Sequence, residues 1–192
     1  MTSEREKALA GEPYQTRDPD LLALHRRALG LCRDLEKADT VEAMAATLGA
    51  LLGSAGKGVW IAPRFHCDYG VNIHIADDVF VNVNCVFLDG AEIHIGAGAL
   101  IGPAVQILTV THPVPASERM IRHADGSRGY TTFAKPITIG EEAWIGAGAL
   151  ILPGATIGAR SVVAAGSVVT QDIPPDTIAG GNPARALKTS GE

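Results

Sequence analysis

The chain has 192 residues, of which 46% are hydrophobic and 19% charged, and a formal net charge of −5. That length suits one domain with a short appendage, and the composition is too apolar for a disordered chain. The charge leaves no broad basic surface, which argues against nucleic acid as a partner while allowing a local cationic patch for an anionic ligand.

No opening stretch has a charged n-region followed by an apolar one, and no run of about 18 apolar residues occurs. A cytoplasmic protein with no membrane partner is expected. Cys32, Cys67 and Cys85 are an odd number without C-x-x-C spacing, so they read as reduced thiols and not as a disulfide or zinc framework. Cys85 reads as a small buried side chain.

Residues 1–55 read as a helical segment. Ser3 and Glu6 have capping-box spacing, Asp18 before Pro19 marks a second start, and Leu21, Leu24, Leu31 and Leu35 follow with helical periodicity. Asp39, with Glu42 three residues on, is expected to cap a third helix that buries Leu48, Leu51 and Leu52 before Gly53 ends it.

Residues 56–192 follow a different rule. Ile139, Ile145, Ile151, Ile157, Val163 and Val169 recur every six residues, and a small side chain (Ala143, Ala149, Ala155, Ser161, Ser167) comes four after each of the first five. Ile75, Val81 and Phe87, and then Ile95, Ile101 and Ile107, form earlier sets. A six-residue period matches neither a helix nor a hairpin, and it is the signature of a hexapeptide β-helix. The expected fold is therefore mainly β, a left-handed parallel β-helix in which three hexapeptides make one eighteen-residue triangular coil. Gly or Asn would take the unusual turn backbone. Residues 111–135 break the rule and carry Pro113, Pro115, Gly126 and Gly129, so a long protruding loop is expected there, of the kind that is usually functional.

Five segments, "EREKALAGEPY", "HCDYGVNIHI", "VNVNCVFLDG", "THP" and "VVTQDIPPDTIAGGNPAR", resemble the maltose and galactoside O-acetyltransferases of the hexapeptide-repeat superfamily, which also includes nodulation-factor acetyltransferases. The resemblance implies a homotrimer with active sites between subunits and direct transfer from acetyl-CoA to a small-molecule acceptor, without a metal. A hydroxyl nucleophile needs a base with a pKa near 7. Of His66, His74, His94, His112 and His123, only His112 sits where the repeat breaks, and it matches the family's catalytic histidine.

On the same basis Asn82 matches the residue near the acetyl group and acceptor, and Asp68 an acceptor contact, whereas Asn84 reads as a turn residue. Trp144, Ala147, Ala165, Thr170, Gln171, Arg185 and Lys188 fall at positions along the CoA groove, and residues 170–188 form its tail. Two positions depart from the pattern on the acceptor side. Thr132 stands where relatives carry glutamate, and Gly90 where galactoside-acetylating relatives carry a second aspartate, which favours a maltose-type acceptor. The loop after His112 is also about eight residues longer than the family pattern. Asp18, Arg26 and Arg27 lie near acceptor positions in an uncertain register.

Other acceptors (an antibiotic hydroxyl, an amino sugar, serine) would use the same chemistry. A zinc hydrase on this fold would need a histidine pair five residues apart, which is absent, and a non-catalytic scaffold would not need the His112 loop or the cationic C-terminus.

Overall fold

Each of three N-terminal helices starts at a side chain that accepts from N–H groups left unpaired in the first turn. In the computed structural model, which describes residues 2–122 and 126–189, these are α1 (Glu4–Leu9), α2 (Pro19–Leu35) and α3 (Val41–Leu51). Ser3 and Glu6 complete the expected capping box, and Asp18 accepts from the Asp20 and Leu21 N–H groups. The cap of α3 is Thr40 and not Asp39. Thr40 has the extended backbone of a cap, φ −127° and ψ 157°, and its hydroxyl accepts from Ala43 N at 3.1 Å. Two capping residue types in succession leave a one-residue ambiguity that spacing alone does not resolve.

The expected parallel β-helix follows. Its first face stacks Ser54–Ala55, Ile73–Ile75, Ile93–Ile95, Ile137–Ile139 and Thr156–Ile157. The second stacks Trp60–Ile61, Phe80–Val81, Leu100–Ile101, Trp144–Ile145, Val162–Val163 and Thr177–Gly181, and is extended by the antiparallel strand Ala184–Thr189. The third stacks His66–Cys67, Val86–Leu88, Gln106–Leu108, Leu150–Ile151 and Val168–Val169. The aliphatic residues of the repeat point inward and are at most 2% exposed. Burial of each such side chain is worth about 1.5–3 kcal/mol.

The small residues sit at the corners, where space is least. Ser161 and Ser167 replace alanine in the last complete coil because backbone groups beyond it need partners. Ser161 accepts from Thr177 N and Ser167 from Gly181 N. Asn84 takes a left-handed corner conformation, φ +61°, as expected, but Glu142 (+54°) and Arg160 (+58°) take it too, so neither Gly nor Asn is obligatory there.

The coil length departs from the eighteen-residue expectation. Ser54, His74 and His94 lie opposite one another at intervals of twenty residues, and the eighteen-residue interval appears only past the excursion, at Thr138 to Thr156, Trp144 to Val162 and Leu150 to Val168. The extra two residues fall at the corner that leads from the third face back to the first, at 68–72 and 88–92. One coil later the chain leaves that same corner as the long excursion.

The excursion is an ordered arm. Val110–Thr111 pairs with Phe133–Ala134 at its base, a short helix spans Ala116–Arg119, and Met120–Arg122 pairs antiparallel with Arg128–Tyr130. His123 lies outside the described residues.

The N-terminal helices share the coil's core. Ala28, Cys32, Leu35, Met44, Leu48 and Leu51 join Ile61, Phe65, Cys67 and Ile73 in one apolar cluster, which covers the open end of the solenoid. All three cysteines are free, and the Cys32 and Cys67 sulfurs are 3.9 Å apart. Burial pushes the Cys85 thiol up to about 11, which suits an inert core residue. Among the described residues no helix is long and apolar enough to cross a membrane.

Thr40→Ala should destabilise the fold by about 1 kcal/mol in urea titration, and Asp39→Ala by less than about 0.5 kcal/mol.

Candidate active site

The widened corner is held by a buried carboxylate. Asp89 is fully buried and accepts from Tyr69 N at 2.8 Å and from Asn72 N at 3.3 Å, while the Asn72 amide donates to the Asp89 carbonyl at 2.7 Å. Arg5 of α1 donates to the Asn72 side chain at 2.9 Å. Burial raises the Asp89 pKa to about 7 despite the N–H groups that favour its charged form, and the nearby Asp68 charge adds to the rise.

This network fixes residues 68–72 and with them Asp68. His25 of α2 approaches from the other side, where its Nδ1 donates to the Asp68 carbonyl at 2.9 Å. Asp68 is half-buried, and burial raises its pKa although His25 and His66 oppose the shift. Its carboxylate faces an open recess of about 290 Å³, lined by Tyr14, Thr16, Arg17, Leu21, Leu22, His25, Asp68, Tyr69 and Val110.

His112 directly follows Val110–Thr111, the strand whose Val110 lines this recess. Its Nδ1 is 2.9 Å from the Thr131 carbonyl. A carbonyl can only accept, so Nδ1 bears the proton and the Nε2 lone pair is left available as a base. The side chain is exposed, and its ring lies 6.2 Å from that of Tyr130.

Thr132 lies behind this wall. It is 1% exposed, its hydroxyl donates to the Tyr130 carbonyl, and its own carbonyl accepts from Tyr14 N. In this chain it braces the arm's base, and its burial keeps an acceptor from reaching it directly. Tyr14, also buried, packs where a Cβ on Gly90 would come within 2.7 Å of its hydroxyl and of Val110.

Asn82 turns a different edge, between the second and third faces. Its Oδ1 accepts from Val83 N at 2.8 Å, which leaves the Nδ2 donors for another partner. Ala147 and Ala165 are exposed on the same edge, stacked through the bond from Gly166 N to the Ala147 carbonyl.

Thr170 and Gln171 are exposed at the third-to-first edge, below His112. Arg185 and Lys188 are exposed on the last strand beside the second face. Among the described residues no hydrogen bond or ring contact joins His112 to Asn82, and the width of the third face separates their edges. Trp144 does not pack between coils. It is 54% exposed in an outward ladder with Trp60, Phe80 and Leu100, whose registers coincide.

Comparison with known proteins bears on this arrangement. Residues 7–56 match the model for the maltose acetyltransferase hexapeptide capping motif, and residues 136–171 that for the bacterial transferase hexapeptide of six repeats. Nodulation protein L of Rhizobium meliloti is 44% identical, over 95% of this chain and 97% of its own. A hexapeptide-repeat acetyltransferase from Vibrio cholerae, solved in complex with acetyl-CoA, superposes with a TM-score of 0.86 at 41% identity, covering 97% of this chain and 98% of the other. A maltose O-acetyltransferase from Clostridium difficile superposes with a TM-score of 0.89 at 40% identity and covers 97% of each chain.

The chain belongs to the maltose and galactoside O-acetyltransferase family.

It is thus an acetyl-CoA-dependent acetyltransferase. Among the described residues no group of three or more His, Cys, Asp or Glu side chains is arranged to hold a metal ion.

Several residues at the acetyltransferase's recess escaped the sequence reading. Arg17, His25, Tyr14 and Tyr69 converge on it from the N-terminal segment, α2 and the coil corner, with Tyr130 of the arm in the depression beside it. Tyr14 and Tyr69 fall inside two of the family-like segments, but no spacing gave any of the five a role. Of the N-terminal residues in uncertain register, Asp18 caps α2 and Arg27 donates to the Ala50 carbonyl, which ties α2 to α3.

The Asp89 pKa lies above the ordinary 3.8, so the folded state holds this proton more tightly than the unfolded one. Its contribution is full below about pH 4 and is lost as pH rises through about 7. Asp89→Asn keeps the neutral shape, and its melting temperature relative to wild type should rise across that interval. A flat difference would show that Asp89 does not titrate there.

Proposed function

We propose that this acetyltransferase moves the acetyl group of acetyl-CoA directly to a hydroxyl of a small sugar of the maltose or glucose type, with His112 as general base. The observation that carries the reading is the bond from His112 Nδ1 to the Thr131 carbonyl, which holds the base-competent tautomer two residues beyond Val110 of the recess wall. The acceptor hydroxyl gives its proton to Nε2 as its oxygen attacks the thioester carbonyl. The tetrahedral intermediate then collapses, the carbon–sulfur bond breaks, and the imidazolium returns the proton to the departing thiolate.

Asn82 Nδ2 is the side-chain donor for the oxyanion. Asp68 accepts from other hydroxyls of the sugar, a role suited to a carboxylate at the wall of a small polar recess. Gly90 supports the maltose-type preference, because an aspartate there would collide with Tyr14 and Val110.

Asn82 and His112 turn separate edges of a triangular prism, so one chain does not close the site. Two adjoining subunits, each contributing one edge, do, and this supports a homotrimer with shared sites. The outward ladder of Trp60, Phe80, Leu100 and Trp144 is the kind of contiguous apolar surface that subunit contact buries.

The pantetheine arm of the donor would run past Ala147 and Ala165, where the absence of long side chains leaves room, with Trp144 beside it. Thr170 and Gln171 come from the other edge, and Arg185 and Lys188 provide the cations for phosphate. Three unpaired thiols favour a reducing compartment, consistent with a cytoplasmic enzyme.

Thiol release from acetyl-CoA across a panel of glucose, maltose, galactosides, amino sugars and hydroxylated antibiotics tests the reading. Release with maltose or glucose is expected, and preference for an amine over every hydroxyl would refute it. His112→Ala should lower turnover by about 10²- to 10⁴-fold with acetyl-CoA affinity retained. Leu100→Glu, in the middle of the ladder, should reduce the sedimenting species from trimer to monomer and abolish turnover with it.

A further inference from the structure

The recess at Asp68 has a volume of about 290 Å³, at the lower end of small-molecule pockets, which span about 300–1,000 Å³. It has room for one sugar ring and little more. Beyond its rim, however, the surface continues in one direction. Thr16 and Arg17 line the recess and also a smaller depression, whose other walls are Gln15, Ile121, Gly129 and Tyr130. That depression holds only about 30 Å³, roughly the share of one water molecule, so a ring placed there would lie on its outer surface.

The outer surface offers Tyr130. Its side chain is 52% exposed although the backbone around it is fixed: Tyr130 pairs with Met120 across the arm, and its carbonyl accepts from Thr132. An aromatic ring held in place and left half in solvent is a ready-made platform. Its face is electron-rich, whereas the C–H groups on the flat side of a pyranose carry slight positive charge. The exposed Arg17 adds guanidinium donors for hydroxyl oxygens at the boundary between the two depressions. Tyr130 also lies beside His112, so a ring stacked on it adjoins the one whose hydroxyl meets Nε2.

We propose that Tyr130 and Arg17 form a second acceptor subsite, which binds the sugar ring next to the one acetylated, so that the preferred acceptor is a glycoside of at least two rings. The inference rests on the sugar-acceptor reading above and specifies the acceptor's length. The subsite belongs to the arm, which is the part of the chain that breaks the hexapeptide rule.

Calorimetric titration of the CoA-saturated enzyme with maltose and with glucose tests the subsite without turnover. Wild type should bind maltose about tenfold more tightly than glucose, a gap of about 1.4 kcal/mol. Tyr130→Ala should reduce the gap to about twofold, Tyr130→Phe should keep it because the ring remains, and Arg17→Ala should narrow it. CoA affinity, measured on the same samples, reports whether each variant is folded.

Equal affinities in wild type, no binding of either sugar, or a gap that survives Tyr130→Ala would each overturn the subsite. Failure of the catalytic reading looks different. The maltose gap would then persist and depend on Tyr130, while no sugar released thiol from acetyl-CoA.

Discussion

Stacked parallel coils satisfy their backbone groups only when each rung lies opposite the next, and this register constrains everything else in the molecule. A residue inserted within a strand would shift every inward side chain outward. Departures from the repeat must therefore collect at corners, where the chain turns without a ladder to keep. In this chain they collect at one corner, between the third and first faces. Two additional residues in successive coils widen it, and in the next coil the whole arm emerges from it.

Widening has a polar consequence. A corner with extra backbone exposes N–H groups inside the wall of the solenoid, and leaving them unpaired would cost about 1–3 kcal/mol each. Asp89 accepts from two of them, and Asn72 and Arg5 extend the network to α1. The carboxylate that repairs the backbone thereby sets the position of Asp68 one residue from Tyr69. The bonds that repair the backbone thus also fix Asp68 in the wall of the recess, on the coil itself.

The N-terminal helices have a similar double use. The apolar faces of α2 and α3 close the end of the coil, while α2 supplies His25 and the turn before it Arg17 to the recess. The base of the arm adds Val110 to the recess, and the arm's Thr131 carbonyl accepts from His112. No single element contains the recess, and the two edges that bear His112 and Asn82 face apart.

The sequence by itself determined the solenoid, because a six-residue period of inward aliphatic side chains admits few other structures. It also determined the helical cap, the corner where the repeat fails, and the catalytic candidate, since His112 is the histidine at that break. Tertiary structure alone decided the twenty-residue coils, the cap at Thr40, the burial of Thr132 and the outward ladder that includes Trp144. It alone decided, too, that Arg17, His25 and Tyr69 surround one recess and that Tyr130 stands in the depression next to it. Periodicity reports which way a side chain points from its own strand. Which side chains from distant segments meet depends on where corners and helices fold back, and no local pattern encodes that.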